Sequence, residues 1–263
     1  MAIAFDGSTN GRIEYGPTAA IDNLSVLTCM FWTFIRANTN NANLLNKHVG
    51  LYLKCWGSGG NAGNMQFIRG RATTNTSYIT NSKPFTTVDK TYFIAATFDT
   101  GATPEVAIYV GDLDTVPVEA AYGTSIDGAG ALTSDSSGVM RLGNRNPAFK
   151  NWEGDISEYH LVSSALTLQQ VIVQWGHMHV RTDTLIRSSI GRTGLTTQSD
   201  WSTNQIHGTM NGTLSIAAHD PIAPYVLGEM GSGFKVSGAA PVGHAGQLVN
   251  ATRLHTKVGG VLV

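Results

Sequence analysis

Charged residues are scarce in this chain. Asp, Glu, Lys and Arg make up 13% of its 263 residues, whereas globular proteins average about 25%. The 17 basic and 18 acidic residues give a net charge of -1, so there is no basic field that would attract nucleic acid or an anionic membrane. So little charge indicates a surface covered by partners, or the neutral, hydroxyl-rich surface of a secreted protein.

Cysteine is rare, and the sequence shows neither a signal-peptide pattern nor a long apolar run. The two cysteines, Cys29 and Cys55, lie in apolar, strand-like segments, which predicts buried free thiols. The N-terminal MAIAFDG has neither the basic region nor the apolar region of a secretory signal. No segment reaches the ~18 apolar residues of a membrane span. We therefore expect synthesis in the cytoplasm and no membrane partner.

The chain does contain many short apolar or alternating segments separated by Gly, Asn, Asp and Pro. They are AIAF, GRIEYG, LSVLTCMFWTFI, GLYLKCW, NMQFIRG, TYFIAATF, EVAIYV and GVMRLG. Short strands separated by turns are typical of antiparallel sandwiches, because each strand buries one face against a second sheet. The sequence therefore predicts an all-β antiparallel sandwich over residues 1–221.

Only one segment is predicted to be helical, SSALTLQQVIVQW. Thr167 and Gln170 form a capping box at its start. The apolar residues that then share one face are Leu168, Val171, Ile172 and Trp175. A single short helix is expected to cover an open edge or end of the sandwich.

The composition changes after about residue 220. Residues 222–263 are rich in Gly, Ala, Val and Pro, carry few charges and show neither a helical period nor a hairpin. A segment of this length cannot build its own core. It is predicted to be an extended arm that either adds to another chain or packs back on its own sandwich.

Three carboxylates lie close together in the segment EGDISE. Glu153, Asp155 and Glu158 have the E-x-D-x-x-E order of some sugar-cleaving enzymes. A retaining glycosidase needs two carboxyl groups ~5 Å apart, one as nucleophile and one as acid/base. Glu153 and Glu158 would have these roles, with Asp155 tuning the charge between them.

The apolar alternation changes phase within this segment. Apolar residues occupy even positions as far as Ile156 and odd positions from Tyr159 onward. This shift predicts a β-bulge near Ser157-Glu158. Such a bulge would bring the three carboxylates onto one face of the strand.

Metal ligands are sparse. His177 and His179 form an H-x-H pair without a visible third ligand. Asp6, Asp99 and Asp155 could contribute to calcium binding, but no Asp-rich loop surrounds them, which favours turn capping. No metal, cofactor or catalytic residue is therefore predicted.

Other residues are candidates for binding. Arg69 and Arg71 could recognise a sugar acid or a neighbouring subunit, although a solvated hairpin end is the simpler interpretation. Trp56 and Trp201 are candidate sugar-stacking side chains. The segment from Asp135 to Gly138 has a serine but no nucleophile elbow, which indicates a turn.

Six segments of residues 1–220 resemble the laminin-G-like, concanavalin A-like jelly rolls. They are AIAFDGSTNGRIEYG, SVLTCMFWTFI with Trp32 in the core place, KTYFIAATFDTGATPEVAIYVGDL, GVMRLGNRN, NWEGDISEYHLVSSALTLQQV, and SDWSTNQIHGTMNGTL with Asp200, His207, Gly208 and Thr209 matching. The chain departs from the family at Tyr92-Phe93, where His is frequent, and at Gly111-Asp112, where Asn-Gly is frequent. The last motif also precedes the Phe-Asp-Gly hairpin in many relatives, whereas here it follows.

The resemblance implies a jelly-roll sandwich in which EGDISE is structural. Non-catalytic relatives have the same turn and helix after this segment, whereas laminarinase-type glycosidases have an aliphatic residue at the place of Gly154. The resemblance extends to jelly-roll proteins on the heads or tails of tailed bacteriophages, which are made in the host cytoplasm and released by lysis.

We therefore expect a non-enzymatic virion structural protein, foremost a capsid decoration (cement) protein. It would bridge copies of the major capsid protein, form homotrimers and use residues 222–263 as a clasp. The alternative is a carbohydrate-binding module or a receptor-binding tail component that recognises a glycan. A further alternative is a laminarinase-like glycoside hydrolase that uses Glu153 and Glu158.

Overall fold

The computed structural model describes residues 2–7, 11–37, 42–47, 50–56, 63–81, 87–144, 152–176, 182–188 and 197–217. They belong to a compact unit that runs from Met1 to Tyr225. The predicted arm, 222–263, and its boundary at residue 221 lie outside the described residues.

The described part of the chain is almost entirely β-structure. The strands are β1 (Ala2–Asp6), β2 (Arg12–Tyr15), β3 (Val26–Ile35), β4 (Ala42–Lys47), β5 (Leu51–Cys55), β6 (Met65–Arg69), β7 (Thr76–Thr80), β8 (Lys90–Asp99), β9 (Val106–Asp112), β10 (Val118–Glu119), β11 (Tyr122–Ile126), β12 (Met140–Leu142), β13 (Glu153–Val162), β14 (Thr184–Ser188), β15 (Thr197–Gln198), β16 (Gly208–Asn211) and β17 (Leu214–Ala217). One helix, α1 (Leu168–Gly176), and a single 3-10 turn (Ala19–Ile21) complete it.

The strands form two antiparallel sheets. Sheet A has the order β10-β9-β8-β3-β13-β1-β17, and β14 pairs with the second half of β13. Sheet B has the order β11-β7-β6-β5-β4-β12-β2-β16-β15. The predicted antiparallel sandwich is confirmed, and each of the eight predicted segments contains a strand.

The apolar core lies between the two sheets. It includes Phe31, Phe67, Trp152, Ile156 and Tyr159, each at most 1% exposed. Both cysteines are buried free thiols, as predicted. Burial raises the pKa of each thiol to about 12, so neither is a reactive thiolate.

Strand β13 contains the predicted bulge. Ser157 pairs with Trp32 and His160 with Met30, so three residues of β13 span two of β3. The extra residue lies at Glu158, whose backbone φ is +49°. The bulge explains the shift of apolar residues from even to odd positions.

Two hairpins span both sheets. In the first, β1 belongs to sheet A and β2 to sheet B; in the last, β17 lies beside β1 and β16 beside β2. A Cβ on Gly208 would lie 2.7 Å from Ile13 Cγ2 and from Tyr15 Cε1. Only glycine therefore fits at this position of β16, where it pairs with Tyr15 of β2. The glycine of the His-Gly-Thr motif thus has a structural role.

Helix α1 begins at the predicted capping box. The Thr167 amide donates to Gln170 Oε1 at 2.9 Å, and the Gln170 amide donates to Thr167 Oγ1 at 3.4 Å. The helix packs on sheet A, in one apolar cluster with Trp32 and Phe93. Trp175 Nε1 donates to the Asp112 carbonyl at 2.9 Å, at the end of β9, which neighbours the outermost strand β10. No helix in the described ranges is long and apolar enough to cross a membrane.

The buried face of α1 differs in part from the predicted one. Val171 and Trp175 are buried as expected, whereas Leu168 and Ile172 are only partly covered. Gln174 is buried instead. The helix is therefore rotated slightly from the orientation that its apolar residues alone favour.

Candidate functional site

The loop that connects β15 to β16 is held by hydrogen bonds to the side chain of Asp200. The Asp200 carboxylate accepts hydrogen bonds from the amides of Arg187 at 2.8 Å, Ser202 at 2.8 Å and Ile206 at 2.7 Å. It also accepts one from Ser202 Oγ at 2.7 Å. Asp200 is 4% exposed, so these bonds replace water for a buried carboxylate and hold the backbone around it.

The same loop is tied to the start of β16. The Asp200 amide donates to His207 Nδ1 at 3.1 Å. His207 directly precedes Gly208, whose place against β2 is sterically fixed. We call residues Asp200–His207 the Trp201 loop.

Trp201 lies near the start of this loop and is 58% exposed. Its amide donates to the carbonyl of Arg187 at 2.8 Å, which ties the residue to β14. The neighbouring side chains that reach solvent, Asn204, Gln205 and His207, are polar. A fixed backbone therefore presents an open indole ring among hydrogen-bonding groups.

The other four tryptophans do not offer such a ring. Trp32, Trp152 and Trp175 are at most 4% exposed. Trp56 is half-buried, and Lys54 Nζ lies 4.9 Å from its ring centroid. Of the two predicted stacking candidates, the structure therefore favours Trp201.

The middle carboxylate of the β13 trio, Asp155, forms an ion pair with Arg36, whose side chain is 38% exposed. Asp155 Oδ1 lies 2.6 Å from Arg36 Nη2, and the Asp155 side chain is 5% exposed. Burial raises the pKa of Asp155 despite the opposing effect of Arg36. Glu153 and Glu158 flank this pair and are partly exposed.

Gly154 separates Glu153 from Asp155, and its position is tightly enclosed. A Cβ there would lie 2.1 Å from the Phe34 carbonyl oxygen and 3.0 Å from Trp152 Nε1. The aliphatic residue found at this place in laminarinase-type enzymes does not fit between these groups.

Arg69 is not at a solvated hairpin end, and that prediction is wrong. Its side chain is 1% exposed and donates to Asp135 Oδ2 at 2.6 Å. Lys47, also fully buried, contacts Asp135 Oδ1 at 2.8 Å and Asp22 Oδ1 at 2.6 Å. These four side chains, the Asp135 cluster, are an internal charge network. Asp135 also begins the predicted turn, because its carbonyl accepts from Gly138 N at 2.9 Å.

Arg71 is enclosed as well, so the prediction of a solvated arginine is wrong for it too. Its guanidinium forms an ion pair with Glu105, and its side chain is 9% exposed. Thr76 Oγ1 donates to the second Glu105 oxygen at 2.5 Å. The neighbouring guanidinium and hydroxyl satisfy this carboxylate, so Arg71 is not free for a ligand.

Of the three candidate calcium ligands, Asp99 lies apart from Asp6 and Asp155, which are on the paired strands β1 and β13. Asp99 accepts from the Gly101 amide at 2.8 Å, as expected of a turn cap. Asp155 lies near the opposite end of sheet A, since it pairs with Phe34 whereas Asp99 pairs with Val26. Within the described ranges no three His, Cys, Asp or Glu side chains form a metal-binding group. His177 and His179 lie outside those ranges.

Sequence reasoning identified Trp201 but not what surrounds it. Asp200 was noted as part of a strand motif, and its four hydrogen bonds involve partners on β14 and within the loop. The D-x-S spacing was the available signal, because an aspartate side chain readily accepts from the amide two residues on.

The solved structures that are similar to this chain have low sequence identity to it. A candidate carbohydrate-binding protein from Bacteroides ovatus matches with TM-score 0.58 and 18% identity, over 82% of this chain and 60% of that one. The heptameric SAP-like pentraxin of Limulus polyphemus gives TM-score 0.47 and 13% identity over 66% of this chain and 80% of that one. Domain 4 of the arabinanase AbnA from Geobacillus stearothermophilus gives TM-score 0.41 and 18% identity over 65% and 85%. The chain thus spans less than two thirds of the Bacteroides protein.

A comparison with curated protein sequences finds no match. Residues 7–172 match the model of one family, described as the concanavalin A-like lectin/glucanases superfamily, of the laminin-G type. This match covers more than half of the chain, and the two antiparallel sheets agree with it. The chain therefore belongs to the laminin-G-type concanavalin A-like lectin/glucanases superfamily.

Proposed function

We propose that this protein binds carbohydrate through the Trp201 loop. The observation that carries the proposal is an indole ring, 58% exposed, on a loop whose backbone is held by a buried carboxylate. Large aromatic side chains dominate the energetics of interfaces, and tryptophan is among the residues most enriched at their energetic centres.

The geometry suits a sugar ring. The flat face of an indole can cover the C–H face of a pyranose, while polar neighbours such as Asn204 and Gln205 hydrogen-bond its hydroxyl groups. Because the loop is already held by Asp200, little conformational entropy is lost on binding. Membership of the lectin/glucanase superfamily supports this proposal, as does the name of the Bacteroides protein.

We further propose that the protein is not a glycosidase. Asp155 is engaged by Arg36, and the enclosed Gly154 leaves no space for the aliphatic residue of the laminarinase motif. These contacts support a structural role for the EGDISE segment.

Replacing Trp201 by alanine is expected to weaken binding about thirtyfold, because truncating a central aromatic side chain typically costs about 2 kcal/mol. A glycan array would identify the tightest ligand, and isothermal titration calorimetry would compare its affinity for the two proteins. Val173→Ala is the matched control, because Val173 is 54% exposed and lies on α1, away from the loop. Equal affinities of Trp201→Ala and the unaltered protein would refute the proposed site.

As a second proposal, the protein decorates a bacteriophage capsid and bridges copies of the major capsid protein. An interface of standard size, about 1,600 Å², is sufficient for each contact. Its support is the 13% content of charged residues and the apolar composition of residues 222–263. Homotrimer formation and location in the virion belong to this proposal. Glycan binding is compatible with it, since some surface of a decorating protein stays exposed.

Capsid decoration predicts a change in the thermal stability of virions. Particles that lack this protein should rupture at a lower temperature than complete particles, because interfaces between capsid subunits are lost. Release of DNA, followed with an intercalating dye during heating, measures the rupture temperature. Identical temperatures for the two kinds of particle would count against a cementing role.

A further inference from the structure

We infer that the carbohydrate bound at the Trp201 loop is anionic, and that Arg187 binds its carboxylate. The ligand class is a sugar acid, either a uronic acid or a sialic acid. This inference rests on the proposed function and adds to it the chemical class of the ligand.

Arg187 differs from the other arginines that the structure describes. Five of the six have a carboxylate within ion-pair distance: Arg12 and Arg141 contact Glu14, Arg36 contacts Asp155, Arg69 contacts Asp135, and Arg71 contacts Glu105. The guanidinium of Arg187 has no such partner among residues 2–217 as far as they are described. Its Nε is buried and has no hydrogen-bond acceptor.

A buried guanidinium donor without an acceptor is unfavourable. Removing a charged donor from water costs free energy unless another group accepts its hydrogen bond. The partly buried position of Arg187 strengthens its attraction to an incoming anion, because solvent screens it less. Arg187 is therefore a partly buried cation that has no anionic partner among the residues that the structure describes.

Arg187 lies directly beside Trp201. Its carbonyl accepts from the Trp201 amide at 2.8 Å, and its own amide donates to Asp200 Oδ1 at 2.8 Å. These two bonds make Arg187 and Trp201 neighbours in the backbone. In this proposal one ligand contacts both the guanidinium and the indole.

The acidic residue of the loop does not neutralise Arg187. Asp200 is already bound by four donors, three backbone amides and the Ser202 hydroxyl. Its carboxylate therefore stabilises the loop, and the guanidinium remains available to an external acid.

A sugar carboxylate matches both groups. The planar guanidinium can donate two parallel hydrogen bonds to a carboxylate, which is stronger and more directional than a bond to a neutral hydroxyl. The pyranose ring that carries this carboxylate would lie against Trp201. Neutral sugars would keep the stacking contact and lose the ion pair.

The test compares four oligosaccharides in calorimetric titrations: an oligogalacturonate, a sialylated lactose, unmodified lactose and a sulfated galactose oligosaccharide. The unaltered protein should bind one of the two carboxylate sugars at least about tenfold more tightly than lactose, because a hydrogen bond to a charged group is worth at least about that factor. The first two sugars distinguish a uronic acid from a sialic acid. Preference for the sulfated sugar over both would overturn the assignment of a carboxylate.

Arg187→Gln should remove this preference, so that the acidic sugar and lactose bind equally tightly, while the backbone groups that hold the loop are retained. Arg187→Lys should retain part of it, because a point charge cannot form the bidentate contact. Arg12→Gln is the control, since Arg12 is partly buried but pairs with Glu14. Circular dichroism spectra of all variants establish that they are folded.

The outcomes separate this inference from the proposed function. If Trp201→Ala abolishes binding but Arg187→Gln leaves the ratio of acidic to neutral affinities unchanged, the loop binds carbohydrate and the inference is wrong. If Trp201→Ala leaves binding intact, the proposed site itself fails.

Discussion

Asp135→Asn is expected to lower the free energy of unfolding by about 3–5 kcal/mol, because it leaves the buried Arg69 without its counter-ion and the buried Lys47 with only one. Lys47 and Arg69 are at most 1% exposed, and Asp135 contacts both. An asparagine has nearly the same shape but carries no charge, and Asp22 reaches only Lys47. Urea unfolding followed by tryptophan fluorescence would measure the loss.

The control for this substitution is Asp99→Asn. Asp99 caps a turn through the Gly101 amide and has no cation within ion-pair distance among the described residues. We expect a loss of about 1 kcal/mol or less there. Equal effects at the two positions would show that the Asp135 cluster does not depend on charge.

The same cluster predicts a pH dependence. Burial raises the pKa of Asp135, but hydrogen bonds and ion pairs with Lys47, Asn23 and Arg69 outweigh it, so the pKa lies below its usual value. A carboxyl group with a lowered pKa in the folded state stabilises the protein above the pKa of the unfolded chain, about 3.9. That contribution is lost as the pH falls further. The difference between Asp135→Asn and the unaltered protein should therefore shrink below about pH 4.

Gly154→Ala is expected to cost about 3 kcal/mol or more, because the added Cβ would lie 2.1 Å from the Phe34 carbonyl oxygen. That oxygen belongs to the backbone of β3, so relief requires the two central strands of sheet A to separate. For a domain of this size the melting temperature should fall by roughly 6–12 °C. Differential scanning calorimetry would measure it.

Gly176→Ala provides the matched comparison. No atom lies within 4 Å of a Cβ at Gly176, the last residue of α1. Replacing it should change the unfolding free energy by about 1 kcal/mol at most, in the stabilising direction. A loss at Gly154 as small as this would show that β3 can move aside at little cost.

The sandwich itself was predictable because its strands follow a local pattern. Alternation revealed even the bulge in β13, since inserting one residue moves every later side chain to the other face. Strand β4, ANLLNK, could not be predicted, because its burial depends on contacts that the local pattern does not show. Its Lys47 points into the core, where its partners Asp22 and Asp135 are far away in the sequence.

The surroundings of the candidate site could not be predicted for a related reason. Arg69 and Arg71 resemble solvated residues in a sequence, since their partners Asp135 and Glu105 lie 66 and 34 residues away. The exposure of Trp201 also depends on tertiary structure. Only the fold distinguishes the one open tryptophan from three that fill the core.

The position of β1 has a consequence for how the protein forms during synthesis. Strand β1 is synthesised before β13 and β17, yet it lies between them in the sheet. Its backbone hydrogen bonds to β17 cannot form before residues 214–217 emerge. Such distant pairings slow folding. The nascent chain must therefore keep β1 unpaired while the residues between β1 and β13 are synthesised, which makes association with chaperones at that stage advantageous.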